Sequence, residues 1–272
     1  MTSPLDRLAA LEPIFVWAPT ARCGITLLQR LVTSSREILV YGENFLLCKV
    51  LPAALLEHSL LQKQQDAARA RLLAGDHQFW ASAAAPRADV YSGGLVSAFV
   101  DLLAAYETST RADGFARWGV KHPEFHHGHL QILRRLMPRS RHLCLYRHPR
   151  EAMRSMKARK WLSSPADAER YARDWSAGVR RFLSMGTDPL VRVVRYETLL
   201  AERDAELERL RSFLGVASLD ASVLDRKVNT FAGGAADGHA PGEYIEPAEL
   251  TDAEWAAIDS GTAQVRRAAG YE

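Results

Sequence analysis

The stretch from Ile14 to Val32 constrains this chain more than any other. Ile14-Phe15-Val16-Trp17 is an uninterrupted apolar run, the pattern of a buried parallel strand. A turn punctuated by Pro19 and Gly24 follows, and then Leu27, Leu28, Leu31 and Val32 recur as the buried face of a helix does. Strand, loop and helix in that order aim successive backbone N–H groups and the positive end of the helix dipole at one point. Arg22 adds a fixed cation there and Thr26 a hydroxyl donor, so the natural occupant is a phosphate-like anion. The spacing is not that of the Walker loop, G-x-x-x-x-G-K-S/T: Arg22 precedes Gly24, and no lysine follows it.

Further along, Ile38-Leu39-Val40-Tyr41 reads as a second short strand ended by Gly42-Glu43-Asn44. That puts a carboxylate at the carboxyl end of a strand, where ligands of open α/β sheets gather. Residues 45–113 differ in kind: apolar helical patterns from Leu46 to Leu61 and from Leu95 to Tyr106 flank an Ala-rich middle holding Phe79, Trp80 and Pro86. A helical insertion capping the sheet is expected there. The strand pattern resumes at Arg117 to Lys121, followed by His122, Pro123 and a helix carrying Leu130, Leu133 and Leu136. Leu143-Cys144-Leu145-Tyr146 is a strand that delivers Arg147 at its end, and Pro149 suits the first turn of the next helix. On that helix Ser155 and Arg159, four residues apart, share a face. Asp167 to Met185 reads as an amphipathic helix, Val191 to Tyr196 as a strand, and Glu202 to Phe213 as a helix stopped by Gly215. A last helix opens on the capping box Thr251 to Glu254 and ends near Gly270.

Strands alternating with helices imply right-handed crossovers and one mainly parallel sheet. The expected fold is α/β, a P-loop-like three-layer arrangement in one domain over residues 1–272, with the inserted cap at about 45–113 and a C-terminal lid and closing helix at about 216–272. Phe231 to Gly242, rich in glycine and alanine, suits a mobile lid.

Charge and cysteine content narrow the function classes. A formal charge of +3 over 272 residues does not make a polyanion binder of the whole molecule, so what matters is where the cations collect. Between Arg134 and Lys160 ten Lys or Arg face one acid, Glu151. Without interleaved aromatics or a known binding motif, that run does not read as a nucleic-acid surface. Three cysteines, Cys23, Cys48 and Cys144, all in apolar settings, fit a reducing compartment better than a disulfide framework. The start lacks a basic region followed by an apolar run, and no apolar stretch reaches the roughly 18 residues a bilayer needs. A cytoplasmic protein that binds no membrane is expected. His122, Glu124, His126, His127 and His129 make a metal cluster on paper, but residues this crowded do not all converge and no zincin pattern is present. No metal is expected. Cys23 has the setting of a reactive thiol, beside Arg22 at a helix start. With no catalytic partner in view, its backbone is the expected contributor.

The sequence therefore offers two anion stations, each at a strand-to-helix junction: Arg22 to Thr26, and Arg147 with Ser155 and Arg159. A guanidinium grips phosphate oxygens through two parallel bonds. A ligand with two separated phosphate-like groups would bridge the stations.

At this point a family resemblance enters. Arg22-Cys-Gly-Ile-Thr-Leu-Leu28 resembles the 5′-phosphosulfate loop of sulfotransferases that use 3′-phosphoadenosine 5′-phosphosulfate (PAPS), and Tyr146-Arg147 through Ser155 to Arg159 resembles their 3′-phosphate motif. Val194-Arg-Tyr196-Glu197-Thr-Leu-Leu200, with Phe213-Leu-Gly215 after it, is similar to the segment ahead of the family's closing helices. Val120-Lys121-His122-Pro123 resembles the lysine-bearing strand end of the protein-tyrosine and related bacterial sulfotransferases. These four ordered matches cover most of residues 14–215, and the resemblance is loose beyond about residue 216.

The resemblance implies a sulfotransferase with PAPS as donor, 3′,5′-ADP (PAP) as product and no metal. Arg22, the backbone of Cys23, Gly24 and Ile25, then Thr26 and Leu27 would hold the 5′ end. Arg147, Ser155 and Arg159 would hold the 3′-phosphate, and Tyr196 would contact the adenosine. The loop departs from the family pattern: Thr20-Ala21 lengthens it, and Cys23 and Ile25 replace a serine and a threonine, although backbone donors survive both changes. The C-terminal segment offers Arg226 and Lys227 as cations.

Transfer of a sulfuryl group should resemble phosphoryl transfer, with negative charge growing on the leaving 5′-phosphate. Arg22, Lys121 and Thr26 are placed to take up that charge. The acceptor, a hydroxyl or an amine of a small molecule, with peptide and carbohydrate both open, must lose a proton to a base. Related enzymes carry a glutamate in a Gly-Glu turn, which points to Glu43, though a one-residue shift would put Asn44 there. Other members use a histidine, which points to His122. Two other classes stay open: a P-loop-type kinase, against which the missing Walker lysine and metal carboxylate argue, and a non-catalytic nucleotide- or nucleic-acid-binding module.

Overall fold

Among the described residues five short strands, each of four to six residues, lie side by side in the order β2-β3-β1-β4-β5, every neighbour parallel. In chain order they are β1 (Ile14–Trp17), β2 (Ile38–Tyr41), β3 (Arg117–His122), β4 (Arg141–Tyr146) and β5 (Val191–Arg195). The computed structural model describes residues 3–76, 78, 87–226 and 245–271. Phe79 to Pro86, Lys227 and the expected lid at 231–242 lie outside them.

The central strand β1 is buried throughout, as a strand with parallel neighbours on both sides must be. Phe15 and Trp17 stack on each other and on His142 of β4. The Trp17 indole N–H donates to His142 Nδ1 at 3.0 Å, and His142 Nε2 lies 3.0 Å from Ser140 Oγ, whose own proton goes to the Met137 carbonyl. His142 is thus the Nε2–H tautomer, satisfied at both nitrogens, and burial pushes its pKa down to about 3. It is a structural histidine.

The helices follow the crossovers. A short helix α1 (Pro4–Ala9), set by the capping box of Ser3 and Asp6, precedes β1. Helix α2 (Ile25–Thr33) follows β1 and buries Ile25, Leu27, Leu28, Leu31 and Val32. After β2 comes a π-helical turn (Leu46–Val50), then α3 (Leu51–Leu73) and α4 (Ala88–Ala112). The insertion lies to one side: α3 rests on α5 (His127–Leu136), and α4 on α1 and β3. Among the described residues of the insertion, only Lys49 lines either of the two clefts described below.

Helix α6 (Pro149–Ala158) leaves β4 and α7 (Pro165–Ser184) follows it. The helix expected from Glu202 to Phe213 is α9 (Arg203–Leu214), and a short α8 (Tyr196–Ala201) precedes it, starting at Tyr196, the expected end of the strand, and separated from α9 by the non-helical Glu202. A 3₁₀ turn (Ala221–Asp225) and α10 (Asp252–Ala268) complete the described chain, with α10 packed along α7. No helix among the described residues is long and apolar enough to cross a membrane.

Candidate active site

Because all five strands run the same way, their carboxyl ends share one edge, and the loops leaving that edge build the site. The loop after β1 is unusual in its backbone. Arg22 has φ 65° and Gly24 φ 93°, both left-handed. At Gly24 a side chain is excluded twice, since a Cβ would also come within 2.5 Å of Cδ2 and Cε2 of the Tyr196 ring. Gly24 is the N-cap of α2 and no side chain caps it, so the first N–H groups of the helix are available to an anion. Gly24, Ile25, Thr26 and Leu27 line a cleft of about 520 Å³.

The same cleft is lined by Arg22, Glu43, Lys121, Arg147, Ser155, Tyr196 and Arg226. Two contacts tie its halves together. Arg22 Nε donates to Ser155 Oγ at 3.0 Å, which joins the loop after β1 to α6. The Arg147 guanidinium lies 4.7 Å from the centre of the Tyr196 ring, which in turn covers Gly24. On the β3 side, Lys121 Nζ donates to Thr26 Oγ1 at 3.3 Å and to Glu43 Oε1 at 3.1 Å. The Lys121 side chain is 12% exposed and that of Glu43 38%, so the pair has water on the carboxylate side. Asn44 is turned elsewhere: its oxygen accepts from the Leu47 N–H and its amide donates to the Tyr106 hydroxyl.

Other residues read from the sequence take different places. His122 neighbours Lys121 on β3, so its side chain emerges on the opposite face. It is 1% exposed, wedged edge-on between Trp17 and Phe45, with no hydrogen-bond partner at either ring nitrogen. Burial holds its pKa below the usual value. Arg159, the C-cap residue of α6, is 4% exposed and does not line the cleft. The Cys23 thiol is buried 3.6 Å from Thr20 Oγ1, desolvation raises its pKa, and Cys23, unlike Arg22 and Gly24 on either side of it, does not line the cleft. Cys48 and Cys144 are likewise buried and free. Among the described residues no group of three His, Cys, Asp or Glu side chains is arranged to hold a metal ion.

A second, larger groove of about 710 Å³ adjoins the first and shares Ala21, Pro123, Glu124 and Trp161 with it. Trp161 is 46% exposed and its ring lies 5.8 Å from the Arg22 guanidinium. In the sequence Trp161 did not stand out as a site residue, and Glu124 stood out only as part of the dismissed metal cluster. Each follows a recognised motif by a residue or two, which was the available signal.

Arginine, lysine, helix-terminal amides and a carboxylate thus share one cleft, which suits it to bind a doubly anionic ligand and take a proton beside it. No curated protein matches in sequence. Among solved structures, the sulfotransferase domain of the Synechococcus PCC 7002 olefin synthase superposes with a TM-score of 0.55 at 17% identity, over 96% of each chain. The sulfotransferase domain from the curacin biosynthetic pathway does so with a TM-score of 0.53 at 16% identity, over 96% of this chain and 98% of that one. These likenesses establish the fold. The sequence model of the sulfotransferase family matches residues 13–220, from the start of β1 through the loop after α9, and the chain belongs to the sulfotransferase family.

Proposed function

We propose that the cleft binds PAPS as donor, releases PAP, and delivers the sulfuryl group to a hydroxyl or amine of a small molecule. The observation that carries this reading is the convergence of both cationic stations: Arg22 with the α2 terminus, and Arg147 with Ser155, line one cleft and meet through the Arg22–Ser155 hydrogen bond. The donor set fits the ligand. Uncapped amides of α2 suit the 5′ group, a guanidinium suits the 3′-phosphate, and the Tyr196 ring beside Arg147 offers a face for a base.

When bound, PAPS supplies an activated sulfuryl group with PAP as its leaving group. This chain's residues hold and neutralise. Backbone N–H groups of Gly24 to Thr26, the Thr26 hydroxyl and the Lys121 ammonium take up charge growing at the 5′-phosphate. Glu43 accepts the acceptor's proton as the new S–O or S–N bond forms and the bond to the 5′-phosphate breaks. His122, buried between two aromatic rings, stands back from this exchange. The acceptor approaches along the groove that meets the cleft at Trp161 and Glu124. Three buried free cysteines support a reducing, cytoplasmic setting.

The test is calorimetry with 3′,5′-ADP, 5′-AMP and ATP on the wild type and on Arg147→Ala. The wild type should bind 3′,5′-ADP most tightly. Arg147→Ala should weaken 3′,5′-ADP by about tenfold or more, the scale of a lost charge-assisted contact, and leave 5′-AMP unchanged. Equal affinities in the wild type would remove the case for a dedicated 3′-phosphate station.

A further inference from the structure

The family match ends at residue 220, yet the chain beyond it returns to the site. Helix α10 packs closely on α7: a Cβ on Gly261 would lie 2.8 Å from that of Ala172, and Ser176 donates to the Gly261 carbonyl at 2.7 Å. The helix ends at Ala268, and two residues on Gly270, with φ 78°, turns the chain back toward the sheet edge. The last described residues dock there. Tyr146 at the end of β4 donates to the Ala269 carbonyl at 3.2 Å, and Arg195 at the end of β5 donates to the Gly270 carbonyl at 2.8 Å.

Tyr271 completes the arrangement. It is buried, its ring lies 3.9 Å from the Arg195 guanidinium carbon and meets the His148 ring edge-on at 4.9 Å. Its hydroxyl donates to Glu197 Oε2 at 2.7 Å, while Glu197 Oε1 accepts the His148 backbone N–H at 2.9 Å. Burial and the neighbouring Glu197 carboxylate raise the pKa of the Tyr271 hydroxyl, so it stays a donor.

The geometry has one consequence for the cleft. Arg147 sits between Tyr146 and His148, and Tyr196 between Arg195 and Glu197. All four flanking residues are held by the Ala269–Tyr271 tail or by Glu197, and Trp175 of α7 holds the Arg147 carbonyl at 2.9 Å. We propose that Glu197 and Tyr271 are positioning residues for the second anion station: the Tyr271–Glu197–His148 chain of hydrogen bonds locks the β4 and β5 ends together and so fixes Arg147 against Tyr196 for the 3′-phosphate. This rests on the proposed function, since it assigns Arg147 to that phosphate.

Tyr271→Phe keeps the ring on Arg195 and removes the hydroxyl alone. It should weaken 3′,5′-ADP about fivefold or more while 5′-AMP, which lacks the 3′-phosphate, is bound as before. Glu197→Ala, which releases His148 as well, should lose more, and Glu197→Gln, which keeps an acceptor for His148, should recover part of the loss. Calorimetry on full-length protein, with melting curves to confirm folding, reads all three. If the wild type prefers 3′,5′-ADP but Tyr271→Phe leaves that preference intact, or weakens both nucleotides alike, the positioning role is overturned while the reading of the cleft stands. If the wild type shows no preference for the 3′-phosphate, the reading of the cleft fails first and the positioning role with it.

Discussion

Gly24→Ala is the substitution on which the site geometry makes its sharpest demand. Two separate costs arise. The backbone stands at φ 93°, where an L residue is disfavoured by about 1–2 kcal/mol. The added methyl would lie 2.5 Å from two carbons of the Tyr196 ring, against an ordinary carbon contact of about 3.5–4.0 Å, so the ring must retreat by about 1 Å. That retreat draws Tyr196 from under the Arg147 guanidinium and removes a cation–π contact of about 0.5–1 kcal/mol at this partly exposed position. Together the variant should lose about 1.5–3 kcal/mol, which for a chain of this length lowers the melting temperature by about 3–6 °C. Affinity for 3′,5′-ADP should fall by about tenfold, because the amides of α2 and the face of Tyr196 both shift. A double-mutant cycle separates the two costs. In a Tyr196→Ala background the methyl has no ring to strike, so Gly24→Ala should cost only its backbone share. Urea unfolding of the four proteins, with calorimetry alongside, gives the coupling. If Gly24→Ala costs the same with and without the Tyr196 ring, or leaves both stability and affinity untouched, the account of the loop is wrong.

Two more outcomes follow from the described contacts. Glu43→Gln should cut turnover by about a hundredfold or more while 3′,5′-ADP affinity holds, since the lost Lys121 partner is a partly exposed ion pair of small energetic weight; unchanged turnover in a steady-state assay would move proton transfer to another group. His142 makes stability depend on acid: its folded pKa of about 3 lies below the unfolded value of about 6.5, so its contribution is full above pH 6.5 and is lost as pH falls toward 3. Between pH 7 and pH 5 that is about 2 kcal/mol by urea unfolding, and His142→Phe should abolish this part of the slope while costing about 1–3 kcal/mol at pH 7 through the orphaned Trp17 N–H. Equal pH slopes in the two proteins would refute the assignment.

What the sequence made legible is what neighbouring residues encode. The apolar runs at 14–17, 38–41 and 143–146 are strands because nothing polar interrupts them, and Gly24 announces the left-handed turn that its φ requires. Local rules failed where a local exception intervened. Ser155 lines the cleft while Arg159, the C-cap residue of α6, is buried and does not, a distinction that a four-residue spacing does not make. The alternation of β3 was available to show that Lys121 and His122 cannot both face the cleft, and the register pairing His122 with Trp17 sends it into the aromatic layer. The capping box of Ser3 and Asp6 that sets α1 is an equally local signal.

The contacts that make the site a site are of another kind. Gly24 meets Tyr196, Arg22 meets Ser155 and Glu197 meets Tyr271 across 172, 133 and 74 positions of chain. No periodicity encodes such pairs; they arise from strand order. In a parallel sheet ordered β2-β3-β1-β4-β5, whatever follows β1, β4 and β5 emerges at adjacent points on one edge, so three residues remote in sequence become neighbours by topology alone. Strand order in turn is set by how each crossover helix buries its apolar face, a property of the whole chain. This is why the two anion stations were readable singly while the tail that braces one of them was not. Arg147 announces itself at a strand end next to a helix-starting proline. Tyr271 has meaning only after α10 has found α7, the contact that carries it back to the sheet.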